Sequence, residues 1–159
     1  MTAEPTKMTW TTKTFDQLDV PTLYDILAAR QDVFIVEQHC PFHEIDRIDL
    51  YCHHLMAWTG NDLAAYARIV PPGLRFNEPS IGRILTSSDF RSSGLGRELL
   101  HRAIDLTQQL FPGQNICLSG QLYLDKFYRE FGFQPVSQIY LEDDIPHQDM
   151  ILYLKRSTS

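Results

Sequence analysis

A chain of 159 residues, 43% hydrophobic and 21% charged, has apolar material for one domain with its own core and no need of a second. A formal net charge of -6 argues against a nucleic-acid-binding surface and favours a cationic partner, or a soluble protein of mild acidity. No apolar run approaches the roughly 20 residues of a membrane span, and residues 1–7 lack the apolar core of an export signal, so a cytoplasmic protein with no membrane partner is expected.

The polar ends, residues 1–8 and 156–159, are expected to be disordered, which leaves one domain over residues 9–155. Met8 to Thr14, rich in Thr and holding Trp10, reads as a first strand. Asp19 is placed to cap a helix that tolerates Pro21 in its first turn. Leu23, Ile26, Leu27, Arg30, Val33 and Phe34 then recur at intervals of three and four, an apolar face expected in the core. The helix should end near Glu37, and Pro41 and the loss of periodicity make the stretch to Asp49 a loop. His53 to Thr59 and Leu63 to Val70 read as a hairpin closed at Gly60-Asn61-Asp62. Pro71-Pro72-Gly73 stops it, and a surface loop runs to Pro79.

Ile81 to Leu85 reads as a strand and is followed by Arg91-Ser92-Ser93-Gly94-Leu95-Gly96-Arg97. A helix comes next, with Leu95, Leu99, Ala103, Leu106 and Leu110 on one stripe until Phe111-Pro112-Gly113 ends it. Asn115 to Ser119 reads as a strand, and Leu122 to Phe131 as a helix closed by Gly132, which accepts the left-handed conformation of a helix end. Gln134 to Tyr140 and Met150 to Leu154 complete the strands, with Glu142-Asp143-Asp144-Ile145-Pro146-His147 as a loop between them. Four ionisable groups crowd that loop. It can supply a base for an ammonium, or be a solvated turn.

Cys40, Cys52 and Cys117 form no C-x-x-C pair, and an odd number makes no disulfide framework, so reduced thiols are expected. Cys40-x-x-His43 and Cys52-His53-His54 leave a tetrahedral zinc site open as a minor reading. Adjacent ligands close one tetrahedron poorly, and the expectation is no metal.

The segment 91–97 is the most informative. Glycines at 94 and 96 let the backbone turn tightly and let a ligand approach its N–H groups. The following helix adds unpaired N–H donors and the positive end of its dipole, and Arg91 and Arg97 add charge. A pyrophosphate suits such a cradle. The Gly-Lys-Ser/Thr ending of a nucleotide-hydrolase loop is absent, since Arg97-Glu98 follow Gly96, and the third glycine of a dinucleotide fold is replaced by Leu99.

The remaining pattern, Arg-x-x-Gly-x-Gly, resembles the coenzyme A pyrophosphate loop of the GNAT superfamily of N-acetyltransferases. Phe127-Tyr128-Arg129-Glu130-Phe131-Gly132-Phe133 resembles the Phe-Tyr-x-x-x-Gly-Phe passage of the same superfamily. Val33-Phe34-Ile35-Val36-Glu37-Gln38, Cys40-Pro41-Phe42, Glu44-Ile45-Asp46, Ala65-Tyr66-Ala67-Arg68, Ile81-Gly82-Arg83 and Glu142 to His147 resemble its ElaA-like branch, from about residue 10 to about 153.

The resemblance implies an α/β (α+β) GNAT fold: a single mixed, mostly antiparallel central sheet, splayed between its fourth and fifth strands and flanked by about four helices. It implies acetyl transfer from acetyl-CoA, bound as co-substrate, to a primary amine by direct attack in a ternary complex. The pyrophosphate falls to Arg91, Ser92, Ser93, Gly94, Leu95, Gly96 and Arg97, and the pantetheine arm to a bulged strand at Ile84, Leu85 and Thr86, with Gln121 also at the cofactor. Tyr128 reaches the cofactor sulfur and protonates the leaving thiolate, unless it is an ordinary packed tyrosine. Glu37, Glu142, Asp143 and His147 are candidates for the acceptor, and Glu44, Asp46 and Asp49 for holding its charge. Arg68 and Arg83 either contact phosphate or substrate or lie on an exposed face. Cys117 sits in mid-strand with no His or Lys beside it, which argues against a covalent acyl-enzyme. Ser93 stands where many relatives carry glycine, and no glutamate lies on the strand Ile81 to Leu85. The partner expected is a small-molecule or peptide amine, and the chain a monomer or homodimer. The alternative is a non-catalytic CoA or acyl-CoA sensor or scaffold.

Overall fold

The computed structural model describes residues 7–154, so the ends expected to be disordered lie outside the described residues except for Lys7 and Met8. Met8 already belongs to a strand. Eight strands, β1 (Met8–Thr14), β2 (His53–Thr59), β3 (Asp62–Val70), β4 (Ser80–Thr86), β5 (Ile116–Gln121), β6 (Gln134–Pro135), β7 (Tyr140–Glu142) and β8 (Ile145–Leu152), form one sheet. Their order is β1-β2-β3-β4-β5-β8-β6, with β7 also paired to β8. Among the described residues three α-helices flank the sheet, α1 (Val20–Arg30), α2 (Leu95–Leu110) and α3 (Asp125–Glu130), where about four were expected. The rest of the helical backbone is short single turns and an extension of α1.

Period-two alternation in β2 and β3 decides what each face carries. Leu55 and Ala57 with Ala65, Ala67 and Ile69 point to one face, where Leu95, Leu99, Leu100 and Ala103 of α2 cover them. Met56 and Tyr66 point to the other face and pack with Leu85 of β4 under Ile26 of α1. The stripe read from the sequence of α2 is therefore the seam with the sheet. The stripe of α1 is narrower, with Ile26 and Arg30 as its buried residues.

α1 starts as its sequence dictates, with Asp19 Oδ1 accepting the Thr22 amide at 2.8 Å and Pro21 in the first turn. After Arg30 it widens into a π-helical segment, Gln31–Val36, in which the Glu37 amide donates to Asp32 O at 2.9 Å. Segments of this kind mark places where a helix re-aims side chains toward a site.

Each neighbouring pair in the sheet is antiparallel except β4 and β5, which run parallel and are in register only at Ser80 and Cys117. Beyond that point they share no ladder, so Ile84–Thr86 and Ser119–Gln121 border a gap. Gln121 closes β5 rather than following it.

Two expectations about the C-terminal third need correction. Gln134 to Tyr140 is not one strand: pairing stops at Pro135 and resumes at Tyr140. Glu142 to His147 is not a loop but a tight hairpin in which Asp143 (φ 50°) and Asp144 (φ 64°) alone make the turn. Both turn residues are left-handed, as a two-residue hairpin needs, and an Asp-Asp pair signals this less strongly than Asn-Gly. Pro146 fits inside a strand because β5 has already ended opposite His147, so its missing N–H falls where no ladder bond is due.

Gly132 ends α3 at φ +97°, and a Cβ there would lie 3.0 Å from Leu152 Cδ1. Gly132→Ala is expected to cost about 1–2 kcal/mol from the left-handed backbone alone, read as a lower midpoint in urea with an unchanged slope.

Candidate active site

The gap between β4 and β5 opens into a cavity of about 1000 Å³, the upper end of the range that small-molecule sites occupy. Val33, Phe34 and Glu37 reach it from the extension of α1, Pro41, Phe42 and His43 from the next loop, Arg75 and Phe76 from the loop before β4. Ile84, Leu85 and Thr86 line one wall, Ser119 and Gln121 the other. Phe127 and Tyr128 enter from α3, and Glu142, Asp143 and His147 from the hairpin of β7 and β8. Residues far apart in sequence thus meet around one space.

At one end lies the loop 91–97. Ser92 (φ 68°) and Gly94 (φ 81°) turn the chain so that α2 begins at Leu95, and the first intrahelical bond runs from the Glu98 amide to Gly94 O. The amides of Leu95, Gly96 and Arg97 precede it and have no acceptor in the helix. Gly96 lines the cavity, and a Cβ there would meet only Thr86 Cγ2, at 4.0 Å. Arg91 lines it as well, donating from Nε to Thr86 O at 3.2 Å and from Nη2 to Glu37 at 2.8 Å. Ser93 donates its hydroxyl to Phe90 O, and the Leu95 side chain belongs to the core. The Arg97 guanidinium pairs with Glu130 and lies 5.7 Å from the centre of the Phe127 ring, tying α2 to α3.

Tyr128 is nearly buried, wedged between Phe127 and Phe133 and laid against Gly120, yet it borders the cavity. Burial, with a smaller contribution from Tyr123, pushes its phenol pKa up, so the neutral phenol is the stable form. On the far wall Tyr140 donates to Asp149 Oδ1 at 2.7 Å, so its oxygen accepts from Ser119 Oγ, 2.5 Å away. Cys117 points elsewhere: its thiol donates to Glu78 at 3.3 Å, and burial followed by that carboxylate pushes its pKa up to about 12. Such a thiol is a poor nucleophile.

Residues 24–154 match the profile of the acetyltransferase (GNAT) domain. The chain belongs to the GNAT acetyltransferase family. A UPF0039 protein of Schizosaccharomyces pombe is 44% identical over 144 residues, covering 89% of this chain and 95% of that protein. Escherichia coli ElaA is 36% identical over 143 residues, covering 89% and 94%, and its crystal structure superposes with a TM-score of 0.87 over 92% of this chain and all of that one. The crystal structure of an acyl-CoA N-acyltransferase from Pseudomonas aeruginosa superposes at 0.89, with 40% identity and the same coverage. The splayed mixed sheet is the GNAT fold, the ElaA-like resemblance holds, and membership supports acyl transfer from an acyl-CoA.

Within this GNAT site, the three acidic residues expected to hold an amine are already committed. Glu44 accepts from Arg30 Nη2 at 2.6 Å and from Arg83 Nε at 2.5 Å. Asp49 accepts from Arg30 at 2.7 Å and from Arg68 at 3.0 Å, and Asp46 from Arg68 Nη2 at 2.7 Å. Three arginines and three carboxylates balance in a cluster that forms part of the cavity wall, where Asp46, Arg68 and Arg83 line it. Arg68 and Arg83 are therefore not on an exposed face: both line the cavity and both are paired with carboxylates. Burial works against ionised Asp46, but hydrogen bonds and charge from Arg68 outweigh it and hold its pKa down to about 2. At Arg83 burial and the charge of Arg68 prevail, and its pKa is lowered.

The cluster also explains the bulge of β4. Tyr66 pairs with Leu85 but Arg68 with Gly82, so Ala67 alone stands opposite Arg83 and Ile84. Arg83 takes a left-handed φ of 50°, strained for a side chain of its kind, and Glu44 anchors it. The visible signal for this cluster was Arg30, a charge on an otherwise apolar helical stripe.

The zinc reading has no support among the described residues, where no three His, Cys, Asp or Glu converge. Cys40 donates to Asp143 O at 2.9 Å, Cys52 to Ile48 O at 3.2 Å, and His54 is held between Tyr66 Oη and Asp49 O. Among the described residues no helix is long and apolar enough to cross a membrane.

Proposed function

We propose that the protein transfers an acetyl group from acetyl-CoA to a primary amine by direct attack in a ternary complex. The observation that carries this reading is the juxtaposition, across the gap between β4 and β5, of free amides at the start of α2 on one side and the buried phenol of Tyr128 on the other. Residues 91–97 hold the pyrophosphate through the amides of Leu95, Gly96 and Arg97, with Arg91 supplying charge. Ile84, Leu85 and Thr86 offer the pantetheine arm a strand edge that β5 leaves unpaired, with Gln121 opposite. An amide on that edge stabilises the negative charge that develops on the carbonyl oxygen. Tyr128 delivers a proton to the departing sulfur. The raised pKa of Cys117 supports direct attack over an acyl-enzyme. Three free thiols at Cys40, Cys52 and Cys117 fit a reducing, cytoplasmic setting.

Calorimetric titration with acetyl-CoA, with NADH and ATP as controls, tests the donor, and release of free CoA with a panel of primary amines tests the reaction. Selective micromolar binding with amine-dependent CoA release is expected. A protein that binds acetyl-CoA and releases no CoA with any amine is a sensor or scaffold instead.

Gly96→Val separates the loop from the rest of the site. Its side chain projects toward Thr86 into the space the pyrophosphate needs, while the helix start tolerates it. Two lost hydrogen bonds to a charged group, at about 1.5–3 kcal/mol each, weaken acetyl-CoA binding by more than a hundredfold. The thermal midpoint stays within a few degrees. Unchanged affinity would remove the loop from the cofactor site.

A further inference from the structure

The hairpin of β7 and β8 carries an imidazole whose tautomer the backbone selects. His147 Nδ1 lies 2.7 Å from Ile145 O. A carbonyl oxygen only accepts, so Nδ1 carries the hydrogen, and in the neutral ring the lone pair is on Nε2. His147 lines the cavity, and its Nε2 stands 3.7 Å from Glu142 Oε2. That separation is too long for a hydrogen bond between them. It suits one nitrogen donor that satisfies both acceptors at once, as two N–H bonds of an alkylammonium would.

The surroundings hold both partners in place. The Tyr140 ring stacks on His147 with centroids 6.1 Å apart, and its own hydroxyl is fixed between Ser119 and Asp149. Arg75 approaches the other oxygen of Glu142, Oε1, at 3.9 Å, leaving Oε2 for the cavity. Of the other carboxylates lining the cavity, Glu37 is committed to Arg91 and Asp46 to Arg68.

We infer that His147 Nε2 is the base that deprotonates the acceptor ammonium, with Glu142 Oε2 holding a second N–H of the same nitrogen; this rests on the acyl-transfer reading above. The ammonium gives one proton to Nε2 and keeps the electron pair of that N–H bond, which forms the C–N bond as the carbonyl π pair moves onto oxygen; the C–S bond breaks when that oxyanion collapses. On collapse the nitrogen gives its second proton to Glu142 Oε2, and the thiolate gains one from Tyr128, which is reprotonated from solvent. Glu142, whose side chain is 41% exposed, passes that proton to water, and the imidazolium returns its own to solvent through the cavity as the products leave. Glu142 faces the ring and Tyr140 stacks on it; Arg75 stands behind Glu142 and Asp149 behind Tyr140, and Asp143 and His43 also line the cavity.

The test compares two probes in the full-length protein with acetyl-CoA: benzylamine, protonated at neutral pH, and aniline, already neutral there. His147→Gln is expected to lower kcat/KM about a hundredfold with benzylamine and to erase the acid limb of its pH profile, while activity with aniline changes less than threefold. Equal losses with both amines overturn the role as base and leave acyl transfer standing; no turnover of any primary amine by the unaltered protein overturns both. Imidazole nitrogen NMR supplies a readout independent of any acceptor, assigned by difference with His147→Gln. A protonated Nδ1 and an imine-like Nε2 are expected in the neutral ring, and the opposite tautomer overturns the inference.

Discussion

Tyr128→Phe is expected to lower kcat for CoA release by a hundredfold to ten-thousandfold, the range typical of losing a positioned proton donor. The fold should hardly notice. The ring that packs between Phe127 and Phe133 and against Gly120 is retained, and losing one hydroxyl costs about 1 kcal/mol or less. Affinity for acetyl-CoA should also persist, because the loop 91–97 and the β4 edge are untouched. The split between an unchanged Kd and a fallen kcat is what distinguishes a proton donor from a packed tyrosine. The sign of the pKa shift adds a second check. Burial favours the neutral phenol, so the proton is in place well above the pH where an exposed tyrosine begins to lose it, and Tyr128 should set no basic limb near neutrality. A kcat within twofold of the unaltered protein would return Tyr128 to the core.

How much of this site was legible in the sequence depends on the range of the chemistry involved. The cradle at 91–97 is local: two glycines, flanking arginines and a helix start lie within seven residues, and the structure places Gly94 at the left-handed turn into α2. Tyr128 was legible through its motif and Gly132 through its place at a helix end. The ion cluster was not, because its partners come from α1, the loop after it, β3 and β4, and sequence spacing carries no record of which charges meet. Asp49 and Arg68 read separately as a substrate ligand and a surface or phosphate contact; only the packing of α1 on the sheet joins them. The partners of Arg97 were hidden for a related reason. Its charge suits a phosphate, but Glu130 and Phe127 on α3 lie within reach and take it. The Ser119, Tyr140 and Asp149 chain depends on the register of β7 on β8, which the Asp143-Asp144 turn defines.

Glu44→Ala tests the cluster and is expected to destabilise the protein by about 3–5 kcal/mol, the cost of stripping a partner from a buried charge. Glu44 serves two arginines. Without its carboxylate Arg30 keeps Asp49 as its charged partner and Arg83 keeps Asp46 at 3.5 Å, each still donating to the backbone oxygen of residue 44. Against a total stability of about 5–15 kcal/mol, such a loss shows as a large fall in the urea midpoint at neutral pH. Glu44→Gln, which keeps the oxygen acceptor and removes the charge, should fall between. Acid should act in the same direction on the unaltered protein. The Asp46 pKa is depressed to about 2 in the fold, against about 3.9 unfolded, and that of Asp49 is lowered as well, burial opposing and Arg30 and Arg68 prevailing. Stability from these pairs is fully present above about pH 4 and is lost as pH falls toward about 2. Because Glu44 also holds Arg83 in its left-handed bulge, and that bulge aims the Ile84–Thr86 edge at the gap, kcat should drop by more than the unfolded fraction explains. A stability change below about 1 kcal/mol would rank these pairs with exposed ones. Unaltered kcat in the folded variant would separate the cluster from the geometry of β4.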